Sequence, residues 1–205
     1  MQTNLKVSTW FPTALGEAYY PNAEKEHQRL LPYIHKIKGE KDECFNYYQV
    51  HKDKKFNNIN KFVIAHVNEF SKKYNFGPMK VADSWFNDYR RHDINSPHVH
   101  LGSIFTAVYY LVGYIEDIAL VIHSPTPPDM MNPSELTAKY PVQNINPLTV
   151  EDIIIKPSTG YLCIFRSFLS HEVPLKITDH RRISLSYTFI KDSKFNWSRG
   201  GAVSY

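Results

Sequence analysis

The sequence predicts a mainly β protein of the jelly-roll kind, two facing sheets buttressed on one side by helices that come first in the chain. Three observations predict it. A helical period fills the first part, a strand period takes over at Met79, and no repeat or low-complexity linker separates the two. At 205 residues the chain fits one domain that buries a core without disulfides or structural metals. On this reading residues 1–78 are a helical support region, 79–190 the sheet pair and 191–205 a C-terminal tail.

The helical part has two candidate segments. Asn22 is placed to cap a first one running from Glu24 to Leu31, which Pro32 would interrupt or kink. A stronger one follows Asn58, where Ile59, Phe62, Val63, Val67 and Phe70 recur at three- and four-residue steps until Gly77-Pro78 closes it. That stripe is a surface for packing on a sheet. The strand candidates are Met79 to Asn87, His98 to His100, Ile104 to Gly113, Asp117 to His123, Thr149 to Lys156, Tyr161 to Arg166 and Arg181 to Ile190. Each is short, β-branched or aromatic, and bounded by Gly, Pro, Asn or Asp. Between them, Ser124 to Pro147 holds six prolines and Met130-Met131, and reads as a long loop beside a binding site.

Composition excludes several classes. Apolar residues make up 42% and charged residues 21%, the balance of a globular protein. The net charge of +4 is mild and spread out, which argues against a nucleic-acid partner; the basic stretch Lys52 to Lys55 reads as a solvated face. No apolar run approaches the roughly 18 residues of a membrane span, and the first residues lack a signal-peptide core. Cys44 and Cys163 stand far apart in no metal-ligand spacing, so a reducing cytosol is the expected compartment.

Chemistry concentrates in a few positions. His98 and His100 are two apart in a predicted strand, so both imidazoles face one way. His171 follows the strand Tyr161 to Phe165, in Ser170-His171-Glu172-Val173-Pro174. Such a trio can occupy one face of an iron octahedron and leave positions for a chelating cosubstrate and oxygen. Against this stands the plainer reading of His-x-His as hydrogen-bonded strand residues. Arg182 changes the balance. It opens a strand eleven residues after His171, with Ser184 on the same face, and a planar guanidinium beside a hydroxyl suits a carboxylate. Taken alone, Arg181-Arg182 also fits an edge-strand solubility device.

In order, His98-Val99-His100, Phe105 to Leu111, His171-Glu172-Val173-Pro174 and Arg182-Ile183-Ser184 resemble the 2-oxoglutarate and Fe(II)-dependent oxygenases common in phages and marine bacteria. Trp85-Phe86-Asn87 and Trp10-Phe11-Pro12-Thr13 extend the likeness over nearly the whole chain, and the second half is similar to prolyl hydroxylase catalytic domains. The resemblance implies a double-stranded β-helix (cupin-like) and a dioxygenase that couples decarboxylation of 2-oxoglutarate to succinate with hydroxylation of a substrate. His98 and His171 would ligate Fe(II), Arg182 would bind the far carboxylate of 2-oxoglutarate with help from Ser184, Tyr110 and Thr106, and O2 would be consumed. Tyr109 would point into the core, and Trp85 and Asn87 would line a substrate pocket. The substrate would be a small molecule or a peptidyl residue such as proline, and the compartment the cytoplasm of a bacterium or a phage-infected host.

One departure stands out. Most proteins with this chemistry carry Asp or Glu where this chain has His100, which would leave the iron site one unit more positive. Either His100 is the third ligand, or Asp93 or another carboxylate completes the site and His100 lies outside it. Two rival functions remain at this point. A three-histidine cupin-type metal dioxygenase without 2-oxoglutarate would explain His100 but leave Arg182 idle, and a jelly-roll binding or structural domain would need neither. Oligomeric state is not legible.

Overall fold

The computed structural model describes residues 13–39, 43–126 and 150–192. The chain begins with β1 (Gly16–Tyr19), α1 (Ala23–Lys38), β2 (Phe45–Asn46) and α2 (Asn57–Lys73). It continues with β3 (Met79–Tyr89), β4 (Asn95–His98), β5 (Phe105–Val112), β6 (Leu120–His123), β7 (Asp152–Ile155), β8 (Tyr161–Arg166), β9 (His171–Val173) and β10 (Arg182–Lys191). Two antiparallel sheets result, one of six strands in the order β1-β8-β5-β10-β3-β2 and one of four in the order β4-β9-β6-β7. This is the predicted jelly roll, the double-stranded β-helix.

Alternation within the long strands sorts side chains into two layers. Phe105, Ala107 and Tyr109 of β5, Leu162 and Ile164 of β8, and Ile183, Leu185, Tyr187 and Phe189 of β10 pack outward against Ile59, Val63, Val67 and Phe70 of α2 and Leu30 and Ile34 of α1. Their neighbours Val108, Tyr110, Tyr161, Cys163 and Phe165 face the four-stranded sheet, where they meet Leu120, Ile122 and Ile155. Tyr109 is therefore core, as expected, and its strand neighbour Tyr110 faces the interior between the sheets.

Several expectations need correction. α1 runs through Pro32 to Lys38, because Leu30 and Ile34, both fully buried on the six-stranded sheet, hold the helix together across the lost hydrogen bond. Asn22 does not cap it with its side chain; it takes a left-handed backbone conformation with φ 60° instead. The strand expected at His98–His100 is Asn95–His98, and His100 lies just beyond its end. The one expected from Asp117 starts at Leu120, leaving Asp117 in a turn. His171 is not in a loop after a strand but opens β9. β1 and β2, both edge strands of at most four residues, went unpredicted. Thr149, Met130, Met131, most of Ser124 to Pro147, residues 10–12 and the tail from Phe195 lie outside the described residues. Among the described residues, no helix is long and apolar enough to cross a membrane.

A buried ion cluster ties the helical layer to the sheet. Asp88, wholly buried on the outward face of β3, receives Lys38 Nζ at 2.8 Å from the end of α1 and both Nε (2.6 Å) and Nη2 of Arg181. Burial alone would raise the Asp88 pKa, but its hydrogen bonds to Arg181 and Lys38 and their charges outweigh it and hold the carboxyl below its ordinary 3.8. A depressed folded-state pKa stabilises the fold above the unfolded value and loses that stabilisation as pH falls through the folded one. The urea midpoint of the wild type should therefore drop as pH falls below 3.8, and Asp88→Asn should remove the part of that drop due to this residue while lowering stability at neutral pH. An unchanged acid limb in the variant would show that Asp88 does not carry it.

Candidate functional site

His98 and His171 face each other as direct cross-strand partners in β4 and β9. Sequence reasoning missed this pairing because three residues of β9 are too few to show a period. His100 joins them from just past β4, where its N–H donates to Ser167 O at 3.0 Å. Gly102, at φ +79°, then allows the tight turn that carries the chain into β5. The imidazole centroids lie 4.3, 5.0 and 5.1 Å apart, and one nitrogen from each ring falls within 4.8 Å of the other two.

The rings are prepared to donate electron pairs. His98 Nδ1 lies 2.8 Å from Ser96 O and His171 Nδ1 2.8 Å from Leu169 O. A carbonyl only accepts, so each Nδ1 carries the hydrogen and Nε2 keeps its free electron pair. Burial, together with the neighbouring imidazoles, pushes the pKa of His100 and of His171 down to about 4, so both are neutral near pH 7. Neutral, oriented imidazoles suit a divalent transition metal.

These rings open into a cavity between the sheets. Its lining includes the residues that the resemblance assigned to cosubstrate and substrate, Trp85, Asn87, Thr106, Tyr110, Arg182 and Ser184, beside the three histidines. Among the described residues, no Asp or Glu lines it. Asp93, the alternative third ligand, instead accepts the Arg90 N–H at 2.7 Å in a turn. Trp85 stands 5.3 Å from His100, centroid to centroid, and Phe165 4.8 Å from His171.

At the other end of the cavity sits Arg182, 1% exposed. Its guanidinium lies 4.9 Å from the Tyr89 ring centroid, and Nη1 donates to Ile118 O at 3.3 Å. Nε and Nη2 are buried and find no hydrogen-bond partner among the described residues. A buried N–H left unpaired costs on the order of 1–3 kcal/mol, more on a cation, so the arrangement calls for an anion. Tyr110 is nearby, and burial keeps its pKa high although Arg182 pulls it down, so it enters as an O–H donor. Ser184 Oγ lies 3.4 Å from Asn87 Nδ2, which leaves the serine hydroxyl hydrogen to donate elsewhere. Thr106 faces the cavity with its hydroxyl 2.9 Å from Ser167 Oγ.

The neighbour Arg181 is committed to Asp88 on the opposite face and plays no part here. Tyr89 and Ser186 were legible, since they continue the alternations of Trp85-Asn87 and Arg182-Ser184. Asn95, Ser167, Asp117 and Lys176 come from turns and strand ends, where no period points to them.

Among solved structures, the fold places the chain with the double-stranded β-helix proteins that include 2-oxoglutarate-dependent enzymes. It is similar to AviO1 from Streptomyces viridochromogenes (9% identity over 89% of this chain and 91% of that one, TM-score 0.59). It is similar to HygX from Streptomyces hygroscopicus, whose structure holds nickel and 2-oxoglutarate (10%, 87% and 83%, TM-score 0.55), and to a Pseudomonas putida prolyl-4-hydroxylase (14%, 86% and 92%, TM-score 0.54). No curated protein matches the chain. The family comes from the sequence itself: residues 83–188, more than half of the chain, match the family described as "Putative 2OG-Fe(II) oxygenase", and the chain belongs to it. It is a 2-oxoglutarate- and Fe(II)-dependent oxygenase.

If the three imidazoles act as one donor set, His98→Ala, His100→Ala and His171→Ala should each weaken Mn(II) or Fe(II) binding by more than about 100-fold. Loss of a ligand must exceed the 10–100-fold typical of its supporting partners. His100→Asp should retain the metal. Equilibrium dialysis with metal analysis reads all four, and normal affinity in any alanine variant would remove that residue from the set.

Proposed function

We propose that His98, His100 and His171 hold the iron and that Arg182 receives the far carboxylate of 2-oxoglutarate, with the substrate entering past Trp85 and Asn87. One observation carries this reading: a buried guanidinium, two of whose nitrogens find no hydrogen-bond partner among the described residues, faces the same cavity as three imidazoles. The donor set fits a divalent iron, and the cavity's lack of carboxylates fits an anionic cosubstrate. When bound, iron and 2-oxoglutarate supply the oxidising chemistry, in which O2 is consumed and 2-oxoglutarate leaves as succinate and carbon dioxide.

The chain's own residues then have distinct tasks. The imidazoles fix the position of the metal, with Nδ1–H bonds to Ser96 O and Leu169 O setting the plane of two of them. Arg182, Tyr110 and Ser184 give the far carboxylate a charge-assisted set of donors and so orient the chelating end. The apolar walls, Val108, Ala119, Leu120 and Val173, exclude water from the reacting region. No side chain is required as general acid or base. The substrate is a small molecule or a peptidyl residue; the P. putida neighbour is named a prolyl-4-hydroxylase, and the rim residue Trp85 offers a flat apolar face for a ring.

Incubation of the Fe(II)-loaded chain with 2-oxoglutarate and O2 should form succinate, slowly without substrate. Arg182→Ala should bind metal normally yet bind 2-oxoglutarate more weakly by about 2–5 kcal/mol, as losing one side of a buried charge pair does. That is a rise in Kd of roughly 30-fold to several thousand-fold. No succinate, or an unchanged Kd in the variant, would overturn the assignment.

A further inference from the structure

Lys176 is buried where its chain neighbours are not. It is 2% exposed, while Leu175 and Ile177 on either side are 55% and 71% exposed. A segment that turns two aliphatic side chains to solvent and one ammonium inward reverses the usual order of burial. The backbone is clamped in this orientation, with Lys176 N–H donating to Asp93 O at 3.0 Å and His92 N–H donating to Lys176 O at 2.8 Å.

Its ammonium reaches Asp117, a buried carboxylate in the turn before β6. Nζ lies 3.0 Å from Asp117 Oδ2 and 3.3 Å from Oδ1, and also donates to Thr178 O at 3.1 Å and to Thr178 Oγ1. Thr178 Oγ1 in turn donates to Asp117 Oδ1. The Arg182 guanidinium comes third, with Nη1 3.5 Å from Asp117 Oδ2 and no hydrogen bond between them. One buried anion is thus shared unequally between two buried cations, and Lys176 has the larger share. The cluster keeps a surplus positive charge, and it resides on Arg182, whose Nε and Nη2 have no partner among the described residues. Burying a surplus charge is costly unless a ligand neutralises it.

We infer that Lys176 is a positioning residue for 2-oxoglutarate: by holding Asp117 it keeps the Arg182 guanidinium free to receive the far carboxylate. The inference rests on the cosubstrate reading above. Without Lys176, Arg182 is the one cationic partner left to Asp117 among the described residues. Closing the 3.5 Å gap would then neutralise the group that the cosubstrate needs. Asp117 acts as an internal competitor for Arg182, and Lys176 occupies it.

The test is calorimetric titration of the Mn(II)-loaded chain with 2-oxoglutarate and with 2-oxobutanoate, which has the same chelating end but no far carboxylate. The ratio of the two affinities reports on recognition of the far carboxylate, and general loosening of the site would move both together. The wild type should prefer 2-oxoglutarate. Lys176→Met should lose about tenfold or more of that preference while keeping its Mn(II) affinity, by the usual cost of losing a charge pair to the ligand. Adding Asp117→Asn to Lys176→Met should restore most of the preference, since the competitor is gone; a purely structural role predicts further loss. Asp117→Asn alone should keep the preference, and it decides the matter if Lys176→Met does not fold. An undiminished preference in Lys176→Met, no rescue in the double variant, or a tenfold loss in Asp117→Asn would overturn the inference. A wild type that does not prefer 2-oxoglutarate would instead overturn the cosubstrate reading on which it stands.

Discussion

Strand β10 is the constraint on which the rest depends. It pairs with β3 on one side and β5 on the other, and its first eight residues, Arg182 to Phe189, are all buried. A strand buried on both faces cannot slip by one residue without sending Ile183, Leu185, Tyr187 and Phe189 into the cavity and Arg182, Ser184 and Ser186 into the helical layer. The hydrophobic effect that seats α1 and α2 on the sheet therefore also fixes where the guanidinium and the serine hydroxyls point. Site geometry and core packing share one register.

The same alternation separates two consecutive arginines. Arg181 faces the helices and Arg182 the cavity, and each has a buried Asp and a buried Lys for company: Asp88 with Lys38, Asp117 with Lys176. In the first trio the arginine donates two hydrogen bonds to the carboxylate and becomes part of the scaffold. In the second the lysine takes the carboxylate and the arginine stays open. Composition is alike in the two trios, and the difference lies in which cation is closer to the anion.

Much of this was legible in the sequence and some was not, for physical reasons. Long strands announce themselves by period, so β5, β8 and β10 were found nearly to the residue, and with them the facing of Thr106, Tyr110, Arg182 and Ser184. Short strands have no period to read. β9 is not among the strands the sequence predicts, and the His98–His171 pairing, which brings two rings to a 4.3 Å centroid separation, comes only with the fold. His100 was reached by an argument that was partly wrong: it is not in the strand with His98, yet the Ser167 O bond to its backbone brings its ring to the same place. Pro32 misled because intrinsic propensity was weighed without the packing of Leu30 and Ile34 on either side. Asp117 and Lys176 had no local signal at all, since what sets them apart is burial.

With a third imidazole in place of a carboxylate, the proposed site has no anionic ligand for the metal, and the cavity around it supplies none. Arg182 adds a second unneutralised charge at the opposite end. On the proposed assignment one molecule, a dianion that meets both the metal and the guanidinium, would complete the cavity. Thermodynamic reciprocity follows from that shared partner: whatever factor the cosubstrate adds to metal affinity, the metal adds to cosubstrate affinity. A site with an anionic protein ligand holds its metal partly on its own account, whereas this arrangement ties metal retention to the presence of 2-oxoglutarate. On the proposed assignment, an imidazole at His100 would make the two cofactors more strongly interdependent, and the polarity of the cavity, from the imidazoles to Arg182, is arranged in the same sense.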